Sequence, residues 1–267
     1  MTVALPSITV VTPSFNQGEY LAQAIESVLD QGYPGLEYIV LDGGSTDSSP
    51  DVIRRYERHL ARWRCSPDGG QAAAIGEGFQ LAKGTILAWL NADDYYEPGA
   101  FHQVAERFLE NRRNVLVYGD YYVHRPDGRK DHKRKVSFDF RICLYAYLMI
   151  PQPAAFWTRD AYRQIGGIDP ALHYSMDYDL FLRLAERYPG CIEHLPKPLA
   201  SFRVHESSKS VREGAAFDAE NRLLRARFTR PEGLAFRAQR AVQHARLEYR
   251  FVRERRMLPL RKDRSKA

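Results

Sequence analysis

Cysteine is scarce in this chain: three residues, Cys65, Cys143 and Cys191, among 267. They are odd in number, scattered and without metal-ligand spacing. A disulfide scaffold is excluded on that count, and buried thiols in a reducing cytoplasm are expected. The first residues, MTVALPSITVVTPSF, lack a basic segment ahead of a long apolar run, so no secretory leader is expected. No apolar stretch approaches the roughly 20 residues that cross a bilayer. A Gly-x-x-x-x-Gly-Lys-Ser/Thr loop is missing, which removes the phosphate cradle an ATPase needs. No Gly-x-Gly-x-x-Gly follows the first strand, which weakens a dinucleotide-binding reading. Internal repeats and low-complexity linkers are also absent. One compact domain over 1–221 is expected, in halves 1–119 and 120–221, with a tail over 222–267.

Acidic residues are short in one place only. Residues 222–267 carry 15 Lys/Arg against 4 Asp/Glu, net +11, while the remainder carries 24 against 29, net −5. The overall +6 therefore describes the tail and gives no support to a nucleic-acid-binding body.

What is present is alternation. SITVVT (7–12) predicts a short strand broken at Pro13-Ser14, with Asn16 placed to cap the next helix. In GEYLAQAIESVLDQ, Leu21, Ile25, Val28 and Leu29 share one helical face. LEYIVLD (36–42) predicts a strand ending in Gly43-Gly44-Ser45-Thr46-Asp47, and a helix follows through Val52, Ile53 and Tyr56. Arg62–Cys65 reads as a strand, QAAAIGEGFQLAKG as a helix, TILAWL (85–90) as a strand and 98–111 as a helix. Strand and helix in alternation imply an α/β fold, mostly parallel, with helices on both faces of the sheet. In the second half a hairpin is expected to turn at Pro126-Asp127-Gly128. AAFW is read as extended, 159–166 and SMDYDLFLRLAERY as helices, and CIEHLPKPLASFRVH as another hairpin.

Ligands in open sheets of this kind bind beyond the carboxyl ends of the strands. There this sequence places Thr12-Pro13-Ser14, Asp42-Gly43-Gly44 and Asn91-Ala92-Asp93-Asp94. Asp42 alone would be read as opening a turn. A second strand end carrying Asp93 changes that, because two carboxylates beside glycines suit a nucleoside diphosphate with a hard cation.

Four segments, TPSFNQGEYLAQAIESVLDQ, IVLDGGSTDSS, LAKGTILAWLNADDYYEPG and MDYDLFLRL, resemble in content and order the family 2 glycosyltransferases of the GT-A fold, over about residues 7 to 205. The resemblance implies inverting transfer of a sugar from a nucleoside diphosphate donor (UDP, dTDP or GDP) to a glycan or lipid-linked acceptor. It implies that Thr12, Pro13 and Ser14 lie along the base and that Asp42 hydrogen-bonds it. Asn91-Ala92-Asp93 takes the family's Asp-X-Asp position, with Asp93 a ligand of Mn²⁺ or Mg²⁺ and Asn91 an acceptor without charge. Asp94 is expected behind the ligand or as a helix cap. Asp68, Gly70 and Gln71 resemble the donor-side helix start, although Ile75-Gly76 stand where a polar pair is common; a plain helix N-terminus is the competing reading. Asp177 takes the general base's place, because the attacking hydroxyl must lose a proton. His205, in Arg-x-His, is placed to reach metal or diphosphate. Asp179 is read as structural, Trp89 as core and Trp157 as acceptor-cleft packing. Tyr121, Tyr122, Phe138, Phe140, Tyr145 and Tyr147 form a candidate acceptor platform.

Two rivals stand beside this reading: a non-catalytic nucleotide-sugar or carbohydrate-binding module, and a nucleic-acid binder using HKRK (132–135) and the tail. No nucleic acid is expected, since clustered Arg attracts phosphate without reading bases. Leu234, Ala238, Ala241, Ala245, Tyr249 and Val252 recur at helical spacing among arginines. That pattern suits either a helix packed on the domain or a peripheral anchor at the inner face of a membrane.

Overall fold

A computed structural model describes residues 4–146, 148–206, 208, 214–229 and 233–257. The first half alternates as the pattern requires: β1 (Ile8–Ser14), α1 (Gly18–Leu29), β2 (Leu36–Asp42), α2 (Ser49–Tyr56), β3 (Arg62–Cys65), α3 (Gln71–Leu81), β4 (Ile86–Trp89), β5 (Tyr95–Tyr96) and α4 (Ala100–Glu110). Then come β6 (Leu116–His124), β7 (Lys130–Lys133), α5 (Phe140–Tyr145), β8 (Ala155–Thr158), α6 (Arg159–Gln164), α7 (Met176–Arg187), β9 (Ile192–Arg203), α8 (Gly214–Ala226) and α9 (Leu234–Met257).

These strands form one sheet in the order β3-β2-β1-β4-β8-β6-β9-β5, with β7 paired to β6. β1, β2, β3, β4, β6 and β9 point the same way, while β5, β7 and β8 run against them. Parallel register sets the strand ends side by side: Ser14 lies beside Asp42, and Asp42 beside Cys65.

Apolar side chains alternate between the two faces of the sheet, as the pleat demands. Ile8, Val10 and Val40 meet Leu21, Ile25, Val28, Ile53, Phe101 and Val104 from α1, α2 and α4. Val11, Ile39 and Leu87 meet Ile75 and Phe79 of α3 and the core that includes Ile142, Tyr162, Phe181 and Leu184. α3 lies close because of Gly78: a Cβ there would come 2.5 Å from a methyl of Val11.

Three local expectations are corrected. CIEHLPKPLASFRVH is one strand, β9, which passes its two prolines by a bulge where Asp120 pairs with Pro198; proline in a sheet is confined to such irregular positions or to edges. Asn16 does not cap α1. It adopts a left-handed φ of 51°, and its Oδ1 accepts from Thr46 N at 2.9 Å. Trp157 is fully buried among Phe79, Trp89 and Phe181, so it packs the core and lines no cleft.

The chain's end folds back on the body. The expected boundary at 221/222 falls inside α8, and Leu224 and Leu247 are buried with the main core. Phe140 packs on Phe228 and Tyr145 on Phe236, so those two rings of the proposed platform hold the tail helices. Phe138 also packs against that core. Tyr147 lies outside the described residues.

Candidate active site

The loops beyond the strand ends are stitched to each other. Asn16 N donates to Ser45 Oγ at 2.7 Å, and Asp47 accepts from Gly18 N at 2.8 Å and Ser49 N at 2.9 Å. These contacts tie the β1 loop to the β2 loop and fix the start of α1. Asp42 is fully buried; its oxygens accept from Gly44 N (3.0 Å), Ser45 N (2.8 Å) and Ser45 Oγ (2.6 Å). Its carboxylate therefore organises the turn, the reading that a lone Asp would have received.

Thr12 is buried with its hydroxyl on Tyr38 OH at 2.9 Å, and Pro13 is buried beside it. Ser14 Oγ is buried and makes no hydrogen bond among the described residues. Just beyond it Phe15 is 62% exposed. A Cβ built on Gly43 would lie 3.4 Å from the Phe15 ring and 3.3 Å from Asp68 Oδ1, so the three converge. Asp68 Oδ1 accepts from Gly70 N at 2.8 Å, and Gly70 turns into α3 with a φ of 94° that disfavours a side chain. Arg64 holds this corner, donating to Asp42 O (3.2 Å), Asp68 (3.3 Å) and Glu77 (2.9 Å).

At the tip of β4 the two carboxylates part ways. Asp94 is 1% exposed; its Oδ1 accepts from Arg203 N at 3.0 Å, while Oδ2 makes no hydrogen bond among the described residues. Burial, and then the charge of Asp93, push its carboxyl well above the ordinary carboxylate range. Asp93 stays at the surface of the site, with Oδ2 3.0 Å from Nε2 of His205, which follows the end of β9. The His205 ring packs on Tyr20, centroids 4.7 Å apart, and the Arg203 guanidinium lies 4.7 Å from the centre of the same Tyr20 ring. The strand-tip carboxylates are thus one held toward neutrality and one facing a histidine.

Asn91 is engaged as well: its Oδ1 accepts from Gln71 Nε2 at 2.9 Å, and its Nδ2 donates to Gln152 at 3.2 Å. Gln152 in turn donates to Trp89 O at 2.7 Å. Gln152, Phe15 and Asp47 were not singled out in the sequence. Phe15 left a signal, an aromatic directly after a strand-breaking Pro-Ser; a single buried glutamine leaves none.

Asp177 occupies the first turn of α7. α7 leads within five residues into β9, which starts at the edge where β4 begins. Burial pushes the Asp177 carboxyl up to about 6, assisted by the charge of Glu220 and opposed by the N–H of Tyr178, which donates to it at 2.8 Å. Asp179 is buried against Arg183 and Arg227, at 2.6 and 2.8 Å, in the structural role expected. A cavity of about 470 Å³ lies elsewhere, lined by Asn114, Asp120, Lys135, His194, Phe251 and Glu254, and shares no residue with the strand-end site.

Residues 9–166, more than half of the chain, match the family described as Glycosyl transferase family 2. The chain belongs to that family. Among relatives of this family 2 glycosyltransferase, a hyaluronan synthase of Pasteurella multocida is 28% identical over 211 residues, 78% of this chain and 22% of that protein. An uncharacterized glycosyltransferase of Mycobacterium tuberculosis is 31% identical over 182 residues, 67% of this chain and 69% of that one. The family 2 chain thus spans about a fifth of the length of the synthases it matches.

Solved structures share the GT-A fold with it. Staphylococcus aureus TarS 1-349 in complex with UDP-GlcNAc has a TM-score of 0.64 at 16% identity, covering 82% of this chain and 65% of that one. The mannosyltransferase PcManGT from Pyrobaculum calidifontis, in complex with GDP-Man and Mn²⁺, has a TM-score of 0.59 at 19% identity, covering 94% and 83%.

Proposed function

We propose that this chain transfers a sugar from a nucleoside diphosphate donor to an acceptor hydroxyl, with inversion at the anomeric carbon, in the building of a glycan or glycoconjugate. The observation that carries the reading is the division of labour among three carboxyls: Asp93 facing His205, Asp94 held toward neutrality behind it, and Asp177 raised to about 6 at the start of α7. A binding module has no use for a poised base, and clustered phosphate contacts alone need no carboxylate pair.

The exposed ring of Phe15 supplies a face for the base, with Asp68 beside it to choose among uridine, thymidine and guanosine donors. Asp42 contributes by shaping the Gly43–Ser45 turn, and Gln71 and Asn91 together offer polar groups toward the donor. Asp177 takes the proton of the acceptor hydroxyl as its oxygen attacks the anomeric carbon. The bond from that carbon to the diphosphate breaks, and its electron pair leaves with the nucleoside diphosphate.

Asp93 and His205 fit a divalent cation, Mn²⁺ or Mg²⁺. Among the described residues no cluster of three or more His, Cys, Asp or Glu could hold one alone, so Asp93 and His205 would hold it together with the donor. When bound, such an ion supplies the positive charge that offsets the leaving diphosphate.

The acceptor is read as a glycan or a lipid-linked sugar. Among the described residues no helix is long and apolar enough to cross a membrane. α9, however, is apolar on two faces. One packs on the domain through Leu247 and through Arg246 and Arg250 on Asp139. The other leaves Leu234 85%, Tyr249 65%, Val242 52% and Val252 52% exposed, between the exposed Arg237, Arg240 and Arg253. That outer face suits an anionic lipid surface, with about 1 kcal/mol per arginine near the headgroups. The free thiols suit a reducing compartment, the cytoplasmic side of such a membrane.

The test is nucleoside diphosphate release from a panel of UDP-, dTDP- and GDP-sugars with Mn²⁺ and soluble acceptors. Release from one donor class, abolished by chelation, is expected. No release across a panel that includes lipid-linked acceptors would contradict the proposal.

A further inference from the structure

The helix after β9 touches the start of α7 residue by residue. Phe217 of α8 packs on Tyr174, ring centroids 5.1 Å apart. One turn on, the Glu220 carboxylate accepts three consecutive main-chain N–H groups: His173 at 3.0 Å, Tyr174 at 2.8 Å and Ser175 at 2.6 Å. Leu224 is buried, Arg225 donates to Tyr178 OH at 3.2 Å, and Arg227 pairs with Asp179 at 2.8 Å. Residues 217, 220 and 224 share one helical face, so α8 lies along the segment that delivers Asp177.

Three successive N–H groups aimed at one carboxylate form an anion-binding nest. An amide oxygen could accept two of those hydrogens, as Oε2 does from Tyr174 and Ser175, but a carboxylate with two oxygens takes all three, and its charge strengthens each bond. That charge also lies near Asp177. Among the described residues no Lys or Arg forms an ion pair with Asp177. From α5 the neighbour is the Cys143 thiol, itself pushed up to about 12 by burial, with the charge of Asp177 a minor cause. From α8 the carboxylate of Glu220 adds its negative charge, while Arg225 is spent on the Tyr178 hydroxyl.

We propose that Glu220 is a positioning residue for transfer: it clamps the 173–175 backbone that presents Asp177 to the acceptor and sets the charge around that base. The inference rests on the reading of Asp177 as the base. Through this clamp the basic C-terminal part of the chain belongs to the catalytic machinery, on the acceptor side, and not only to the surface.

The test compares full-length Glu220→Gln and Glu220→Ala with the parent, by the pH dependence of turnover, by acceptor and donor KM, and by thermal unfolding. Gln keeps an acceptor oxygen and removes the charge. It is expected to retain most of the turnover while the acid limb of the profile moves down by about half a pH unit, the size of one nearby, partly screened charge. Ala loses the clamp as well, and turnover is expected to fall about tenfold or more with donor KM unchanged. A parental acid limb in Gln overturns the proposal, as does loss of donor binding in step with turnover. If Ala does not fold, the Gln profile decides. Undiminished turnover in Asp177→Asn would instead overturn the assignment of the base, whatever the Glu220 variants do.

Discussion

Replacing Asp177 with asparagine separates what this side chain does for catalysis from what it costs the fold. Its carboxyl is raised from the usual 3.8 to about 6 by burial, about two pH units, or at most ~3 kcal/mol of differential stability. The sign follows from the direction. Below the unfolded value both states hold the proton and the burial carries no penalty. As pH rises from about 4 the unfolded chain ionises first, and above about 6 the full cost is present. Asparagine resembles the protonated acid and can still accept the N–H of Tyr178. Asp177→Asn should therefore unfold at the same temperature as the parent near pH 4. At pH 8 it should unfold at a higher temperature, by up to ~6–12 °C for a chain of this size. Turnover should fall ~10²–10⁴-fold, the usual contribution of a positioned base, and parental turnover should itself decline below about pH 6. Differential scanning calorimetry at the two pH values, alongside initial rates, checks both. A variant no more stable at pH 8 would show that burial does not hold the carboxyl up, and undiminished turnover would show that it is not the base.

Asp94→Asn should keep activity within about tenfold of the parent, because the amide oxygen can still accept Arg203 N. Asp94→Ala should lower stability by ~1–3 kcal/mol, since it strands that buried N–H, and urea unfolding of the pair checks both. Gly78→Ala should cost ~1–3 kcal/mol by forcing α3 off Val11, read as a lower midpoint in the same titration. Full-length protein should sediment with anionic vesicles at low salt, and Val242→Glu with Tyr249→Glu should abolish that without changing turnover on a soluble acceptor. Equal sedimentation of parent and double variant would leave the outer face of α9 without a lipid role.

Much of this was legible in the residues because it follows from period and punctuation. Alternating strands and helices placed Ser14 and Asp42 at strand ends and Asp93 just past one, and parallel register set Ser14 beside Asp42. The pairing of Asp93 with His205 joins residues 112 apart, and only the order of family-like motifs pointed to it. Other features left no local mark. A proline pair looks like a turn, yet β9 carries it through a bulge opposite Asp120. Asn16 has the residue type of a cap, but a better partner lay across the cleft at Thr46. The stripe Leu234–Val252 was read correctly as helical. Which face packed was not readable, because α9 is apolar on both sides and only Asp139 and the core decide between them. Glu220 carries no motif, since its role depends on where α8 comes to rest.

The most direct measurement is the unfolding temperature of the full chain with UDP-, dTDP- and GDP-sugars, each with and without Mn²⁺. At a hundredfold excess over Kd, one donor class should stabilise the parent by ~2.7 kcal/mol, and only when the metal is present. The same shift should appear in Asp177→Asn and vanish in Asp93→Asn. No shift with any donor, a shift with oligonucleotides, or one that survives Asp93→Asn would contradict the account.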